Sequence, residues 1–224
     1  MSSRREQKDR LRQERLERER ADAVASKRRR VLQVGIGGAA LVALVAVVVV
    51  VAIAAGGGGS ADAQAGVKAT PPPWQPVYDN LQKRDDAMGL PQAADYPYHY
   101  HAQLRVYVNG KRVTVPMNIG IDQQNSFLSP LHTHDTAGIV HMESTTKYDF
   151  KLGQFFNVWG VKFSDTQLGS YKNGPAGTVQ VYVNGKPNAD PVNYKMKEHD
   201  RIVVAYGKPG SFPKKISTPF PSGL

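Results

Sequence analysis

An uncharged apolar run over residues 31–55 constrains this chain more than any other feature. It reads VLQVGIGGAALVALVAVVVVVAIAA, and a helix of that length, at about 1.5 Å per residue, crosses the ~30 Å hydrocarbon core of a bilayer. Residues 1–30 before it hold twelve Lys/Arg against six Asp/Glu. The positive-inside rule therefore predicts a basic cytoplasmic tail (1–30), one transmembrane helix (31–55) and an extracytoplasmic remainder. The run is longer than the apolar region of a secretory signal peptide, so we expect an uncleaved signal anchor in the cell membrane.

Composition divides the remainder into three segments. A Gly/Pro-rich tether spans 56–77, a β-rich domain spans 78–208, and a Pro/Ser-rich tail spans 209–224. The chain has a formal net charge of +10, of which +6 lies in residues 1–30. The charge of the folded part is therefore too small to indicate nucleic-acid binding. The chain has no cysteine, which excludes disulfides, thiolate metal sites and cysteine nucleophiles.

The hexapeptide VYVNGK occurs twice, at 106–111 and 181–186. In both copies apolar residues alternate with polar ones and lead into Asn-Gly, which is the strongest short-range signal for a β-hairpin with a type I′ turn. Two hairpins are consistent either with a duplicated half-sheet or with two independent uses of a favourable turn.

Three further segments complete the predicted fold. GIVHMES at 138–144 and RIVVAYG at 201–207 have the composition of strands. Apolar residues at helical spacing in 149–163 predict a short helix with Asp149 as its N-cap and Gly160 at its end. Together, these elements predict a mainly β (α+β) domain with one short helix. A β-grasp-like roll and a small β-sandwich both fit these elements.

The histidines form the clearest candidate site. The chain has six, and five of them fall in three short clusters: His99, His101, His132, His134 and His141. Spacing of i, i+2 on a strand directs both side chains to one face, so these five side chains could meet around one ion. Imidazole ligands without thiolates suit zinc or copper(II). We expect Asp135 and Glu143 to accept hydrogen bonds from the rings and hold their tautomers, and we place His199 outside the site.

Other functions remain open from the sequence. The histidines could instead make separate structural hydrogen bonds, in which case the chain would be a non-enzymatic accessory subunit of a membrane protein complex. No G-x-S-x-G elbow, phosphate-binding loop or dinucleotide fingerprint is present. The pattern therefore favours a binding role over an enzymatic one, with a small metallohydrolase as a minor alternative.

Three stretches resemble a known group of proteins. LHTHDTAGIVHMES followed by FKLGQFFNVWG, together with HDRIVVAYG near the end of the domain, is similar to uncharacterised extracytoplasmic, membrane-anchored domains of actinobacteria and archaea. The resemblance implies an outer, tethered domain, and it assigns no activity to any residue.

Overall fold

The computed structural model describes residues 64, 66–94 and 97–221. In this part of the chain it has two helices and eleven strands. They are α1 Leu81–Ala87, β1 Tyr98–Val108, β2 Lys111–Val113, β3 Ile121–Asp122, β4 Phe127–Leu128, β5 Leu131–His132, β6 Ile139–Ser144, α2 Leu152–Trp159, β7 Gln167–Leu168, β8 Tyr171–Lys172, β9 Thr178–Val183, β10 Lys186–Pro187 and β11 Arg201–Gly207.

The main element is one mixed sheet with the strand order β10-β9-β11-β1-β6-β5. Strand β1 lies near its centre and pairs in parallel with β11 on one edge. Its other edge is shared, because the first half of β1 pairs with β6 and the second half with β2, both antiparallel. Strands β3–β4 and β7–β8 form two small separate ribbons. The prediction of a mainly β domain is confirmed.

Both predicted hairpins are present and have the predicted turn. Asn109 and Gly110 join β1 to β2 with φ values of 49° and 80°, and Asn184 and Gly185 join β9 to β10 with 51° and 82°. A type I′ turn requires positive φ at both central positions, which asparagine and glycine tolerate better than other residues. Local sequence alone therefore fixes the two hairpins.

The main core lies on one face of the sheet, against helix α2. Alternate residues of the central strands, such as Leu104, Val106 and Val204, are fully buried there together with Phe155 and Trp159 of the helix. Alternation along a strand sends the intervening side chains to the opposite face. That second face carries the histidines.

Helix α2 ends where the sequence predicts and begins slightly later. Gly160 caps its C-terminus with φ 83°, a conformation that glycine adopts without strain. Its N-cap is Lys151, whose backbone N–H donates to Oε1 of Gln154 at 2.8 Å. Asp149, the predicted N-cap, instead forms an ion pair with Lys195.

The prediction of a single helix is wrong, because the described residues also contain helix α1. Its sequence LQKRDDA offers only one large apolar side chain, Leu81, so no amphipathic stripe revealed it. Arg84 is fully buried here, and its guanidinium donates to the backbone carbonyls of Val77, Asp79 and Asn157. A buried arginine thus joins α1 to the last turn of α2, whose carbonyls need donors.

The segment predicted as a tether contributes to the core. Trp74 lies within 56–77 but is only 4% exposed. Its ring packs edge-on against Trp159 with centroids 5.8 Å apart, and Nε1 of Trp159 donates to its carbonyl at 3.3 Å. The part of this segment nearest the domain is therefore packed against α2.

The C-terminal tail covers part of the second face of the sheet. Phe212 and Ile216, both within 209–224, are buried against Val203, Ala205 and Tyr182. This small cluster occupies one end of the face, over β9 and β11. The other end, over β1, β6 and β5, is left to the histidines.

The predicted basic tail 1–30 and transmembrane helix 31–55 lie outside the described residues. Among residues 64, 66–94 and 97–221, no helix combines the length and the apolar character needed to span a membrane.

Candidate metal centre

Three neighbouring strands bring the candidate residues together. Strand β6 lies between β1 and β5, and its register places His141 opposite His101 on one side and opposite His132 on the other. The same register sets Glu143 opposite His99. Side chains directly opposite on one face of a sheet lie close enough to touch. Two adjacent rows of polar side chains therefore share this face, and His134 joins them from the turn after β5. These six residues, His99, His101, His132, His134, His141 and Glu143, are called the histidine cluster below.

Glu143 lies at the centre of this cluster. Its Oε1 is 3.0 Å from Nε2 of His99, 3.3 Å from Nδ1 of His141 and 3.4 Å from Nε2 of His132. The side chain of Glu143 is only 7% exposed. Three imidazole nitrogens thus converge on one buried carboxylate oxygen.

His132 presents a defined ring nitrogen to the cluster. Its Nδ1 lies 3.0 Å from the backbone carbonyl of Ser129. Because a carbonyl oxygen only accepts, Nδ1 of His132 carries the proton and the neutral ring keeps its lone pair on Nε2. That Nε2 lies 3.2 Å from Nε2 of His134. A backbone carbonyl holding one ring nitrogen so that the other can bind a metal is the usual arrangement around metal-binding histidines.

His101 is also buried, at 8% exposure. Nδ1 of its ring lies 3.8 Å from a carboxylate oxygen of Glu198. Its Nε2 is buried without a hydrogen-bond partner among the described residues. Burial, and then the nearby His141 and His99, lower the pKa of His101 to about 4. The ring is therefore neutral at physiological pH and offers an unused nitrogen.

The other members of the cluster are electrostatically linked. Burial alone would raise the pKa of Glu143, but the His132 and His141 rings beside its Oε1 outweigh that effect and hold the pKa well below its usual range. Desolvation, followed by His132 and His141, lowers the pKa of His134. The lowered pKa values of His101 and His134 favour neutral rings, which together with the ionised carboxylate of Glu143 can donate electron pairs to a cation.

The spacing of the donor atoms suits a metal ion. Two sets of residues have one ligand atom each within 4.8 Å of all the others in the set: His132, His134, His141 and Glu143, and His99, His101 and His141. Ligands at zinc–nitrogen distances of about 2.0–2.1 Å in a tetrahedron lie about 3.3–3.4 Å apart. Contacts of 3.2, 3.3 and 3.4 Å in the first set match those edges. The cluster could hold a metal ion.

All five predicted histidines lie in the cluster, and the two acids have different places. Glu143 points into the middle and is a candidate ligand, a closer role than the one predicted for it. Asp135 is in neither set, and its Oδ1 accepts a hydrogen bond from the backbone N–H of Ala137 at 2.7 Å. The i, i+2 spacing of His141 and Glu143 on one strand was the sequence signal that could have predicted Glu143 as a ligand.

His199 lies beside the cluster without joining either set. Its backbone N–H donates to the carbonyl of His101 at 2.7 Å, and its Nε2 lies 3.0 Å from Oε1 of Glu198. Its positive φ of 60° lies in a turn at residues 198–199.

Comparisons of the chain with protein-family models, with curated proteins and with solved structures gave no match. The function is therefore argued from the chemistry of the histidine cluster.

Proposed function

We propose that this chain binds a transition metal ion through the histidine cluster and serves in metal binding, delivery or sensing. One observation carries the proposal. The Ser129 carbonyl fixes the proton of His132 on Nδ1, so the lone pair of Nε2 faces His134 and the buried carboxylate of Glu143. In the absence of a cation, Nε2 of His132 and Oε1 of Glu143 would face each other as two buried acceptors, which is unfavourable.

The donor set limits the choice of ion. Imidazole nitrogens with one carboxylate suit zinc or copper(II), whereas calcium and magnesium prefer oxygen ligands. The chain has no cysteine to select softer ions such as copper(I). Zinc and copper(II) are therefore the ions proposed.

The proposed location is the outer side of the cell membrane. The uncharged run 31–55 and the basic residues before it support a single-pass anchor with a cytoplasmic N-terminus. The lipid bilayer would then be a partner of the chain. Membership in the actinobacterial and archaeal group of anchored domains is part of the same proposal, and it rests on the LHTHDTAGIVHMES and FKLGQFFNVWG stretches.

The fold is proposed to be a β-grasp-like roll. Its first and last long strands, β1 and β11, pair in parallel near the centre of the sheet. A hairpin begins the sheet, and helix α2 covers one face. A β-sandwich would instead cover that face with a second sheet.

Metal content and thermal stability of the full chain in detergent micelles test the proposal. The purified protein should contain zinc or copper, and adding either to metal-free protein should raise the melting temperature, because a ligand that binds only the folded state stabilises it. The double variant His132→Ala, His134→Ala should abolish the rise, and His199→Ala, which removes a histidine outside both sets, should preserve it. Metal at trace level with an unchanged melting temperature would overturn the proposal and favour an accessory subunit of a membrane complex.

A further inference from the structure

We propose that the histidine cluster holds two metal ions, bridged by the carboxylate of Glu143. This inference rests on the proposed function, since it concerns how many ions the same cluster binds. His132 and His134 would hold the first ion, and His99, His101 and His141 the second. Oε1 of the carboxylate would lie between the two ions and contact both.

The grouping of the donor atoms is the first support. His99 and His101 share a set with His141 but do not belong to the set of His132, His134, His141 and Glu143. The cluster therefore has two centres. His141 belongs to both sets, and assigning it to the second leaves two imidazoles and Glu143 for the first ion and three imidazoles for the second.

The position of Glu143 is the second support. On one side, its Oε1 forms a triangle with Nε2 of His99 and Nδ1 of His141, with edges of 3.0, 3.3 and 3.3 Å. The same oxygen lies 3.4 Å from Nε2 of His132, which in turn is 3.2 Å from Nε2 of His134. One carboxylate oxygen thus adjoins both pairs of nitrogens. Carboxylates commonly occupy this position between two ions about 3.5–4 Å apart.

His101 is the third support. A single ion in the four-residue set would leave its buried Nε2 without a partner, and buried polar atoms in folded proteins are nearly always satisfied. Glu198 lies beside Nδ1 of the same ring, 3.8 Å away, and its Oε2 accepts from the backbone N–H of His101 at 3.1 Å. Glu198 therefore holds the backbone of His101 in place and puts negative charge beside its ring. Nε2 of His101 would bind the second ion.

The two proposed ions differ in the negative charge and in the solvent exposure around them. Glu143 supplies one negative charge between the ions, and Glu198 adds another near the second ion. The first ion keeps exposed His134 as a ligand, while the second is held by His101 and His141, which are 10% and 11% exposed at the side chain, and by His99 at 34%. The second ion has three imidazoles and the carboxylate and is therefore four-coordinate. The first ion has only two imidazoles and the carboxylate, so it keeps a coordination position open, as catalytic and transfer sites do.

Titration of metal-free full chain with zinc, read by calorimetry and by elemental analysis after desalting, tests the number of ions. We expect two ions per chain for the wild type and one for each of His101→Ala and His134→Ala. His199→Ala should keep two. One ion per chain in the wild type would overturn the two-ion proposal and leave the proposed function standing, whereas no ion would overturn both. The wild-type count depends on no substitution, so misfolding of a variant cannot obscure it.

Copper(II) gives an independent readout of the bridge. Two copper(II) ions joined by one carboxylate are magnetically coupled, so the electron paramagnetic resonance spectrum should show a half-field signal. That signal should disappear in His101→Ala and His134→Ala, which retain one ion, and persist in His199→Ala. Two bound ions that give the sum of two uncoupled spectra would contradict the carboxylate bridge.

Discussion

Nε2 of His132 lies 3.4 Å from Oε1 of Glu143, and the two side chains are 1% and 7% exposed. Since the proton of the neutral ring is held on Nδ1 by the Ser129 carbonyl, both facing atoms are acceptors. A cation between them, whether a metal ion or a proton, removes the conflict. This pair therefore favours metal binding at the expense of the stability of the metal-free protein.

Glu143→Gln should separate these two effects. The amide nitrogen of glutamine can donate to Nε2 of His132, so the metal-free variant should be at least as stable as the wild type. Its zinc affinity should fall about 100-fold, because a charged ligand is lost. Calorimetric zinc titration and urea unfolding of the metal-free protein measure the two quantities.

Asp135→Asn is the matched control for that substitution. Its carboxylate bonds to the Ala137 backbone and not to a ring in the cluster, so zinc affinity should change by at most about threefold through the lost charge. Loss of folded stability in Glu143→Gln together with unchanged zinc affinity would mean that Glu143 has a purely structural role.

Asp85 should make stability depend on pH. It is 3% exposed in helix α1, and burial raises its pKa to about 7, an effect that Ser129 and Arg84 offset only in part. A carboxyl whose pKa is higher in the folded state contributes stability that is present below its unfolded pKa of about 4 and is lost as pH rises to 7. Asp85→Asn should therefore gain stability over the wild type between pH 4 and 8, by up to about 4 kcal/mol.

Urea unfolding at intervals across that range measures the difference, on metal-free protein so that metal release does not contribute. Asp86→Asn, an exposed neighbour on the same helix, should give a profile parallel to the wild type. A constant difference between Asp85→Asn and wild type at all pH values would show that Asp85 has an ordinary pKa.

Arg84 should be among the most important polar residues for stability. Its guanidinium donates to three backbone carbonyls from Val77 to Asn157, and Arg84→Met leaves buried acceptors without donors. The free energy of unfolding should fall by on the order of 3 kcal/mol. Lys83→Met on the exposed side of α1 is the control and should change it by less than about 0.5 kcal/mol. Equal effects of the two variants in urea unfolding would show that these hydrogen bonds contribute little.

Trp74 tests where the folded domain begins. It packs against Trp159 although it lies four residues before the predicted domain start at 78. Trp74→Ala should lower the free energy of unfolding by about 3–5 kcal/mol, as for other buried aromatic residues. Exposed Gln75→Ala should have little effect. If thermal unfolding of Trp74→Ala matched the wild type, residues 56–77 would be a tether throughout.

Local sequence predicted those parts of the fold that depend on neighbouring residues. Asn109-Gly110 and Asn184-Gly185 specify their own turns, and strand β11 has the predicted bounds of 201–207. Helix α1 was missed because its packing depends on Arg84, and a lone arginine in a charged segment gives no sign that it will be buried. Trp74 was missed for a similar reason, since its partner Trp159 is 85 residues away in sequence.

The sequence predicted which residues belong to the histidine cluster, but it did not predict how they are arranged. Spacing of i, i+2 places His99 with His101, and His141 with Glu143, on shared faces. The meeting of His101 with His141 depends on the antiparallel register of β1 and β6, and pairing between distant strands is not encoded in either strand alone. The contact between His132 and the Ser129 carbonyl depends on the short turn between β4 and β5, which has no distinctive sequence pattern.

X-ray absorption at the zinc edge of the loaded full chain tests the central claim most directly, because it reports which atoms bind the metal. We expect nitrogen or oxygen ligands at about 2.0–2.1 Å with the outer-shell scattering characteristic of several imidazole rings. That scattering should weaken in His132→Ala, His134→Ala and stay unchanged in His199→Ala. A spectrum with oxygen ligands alone and no imidazole scattering would contradict metal binding by the histidine cluster.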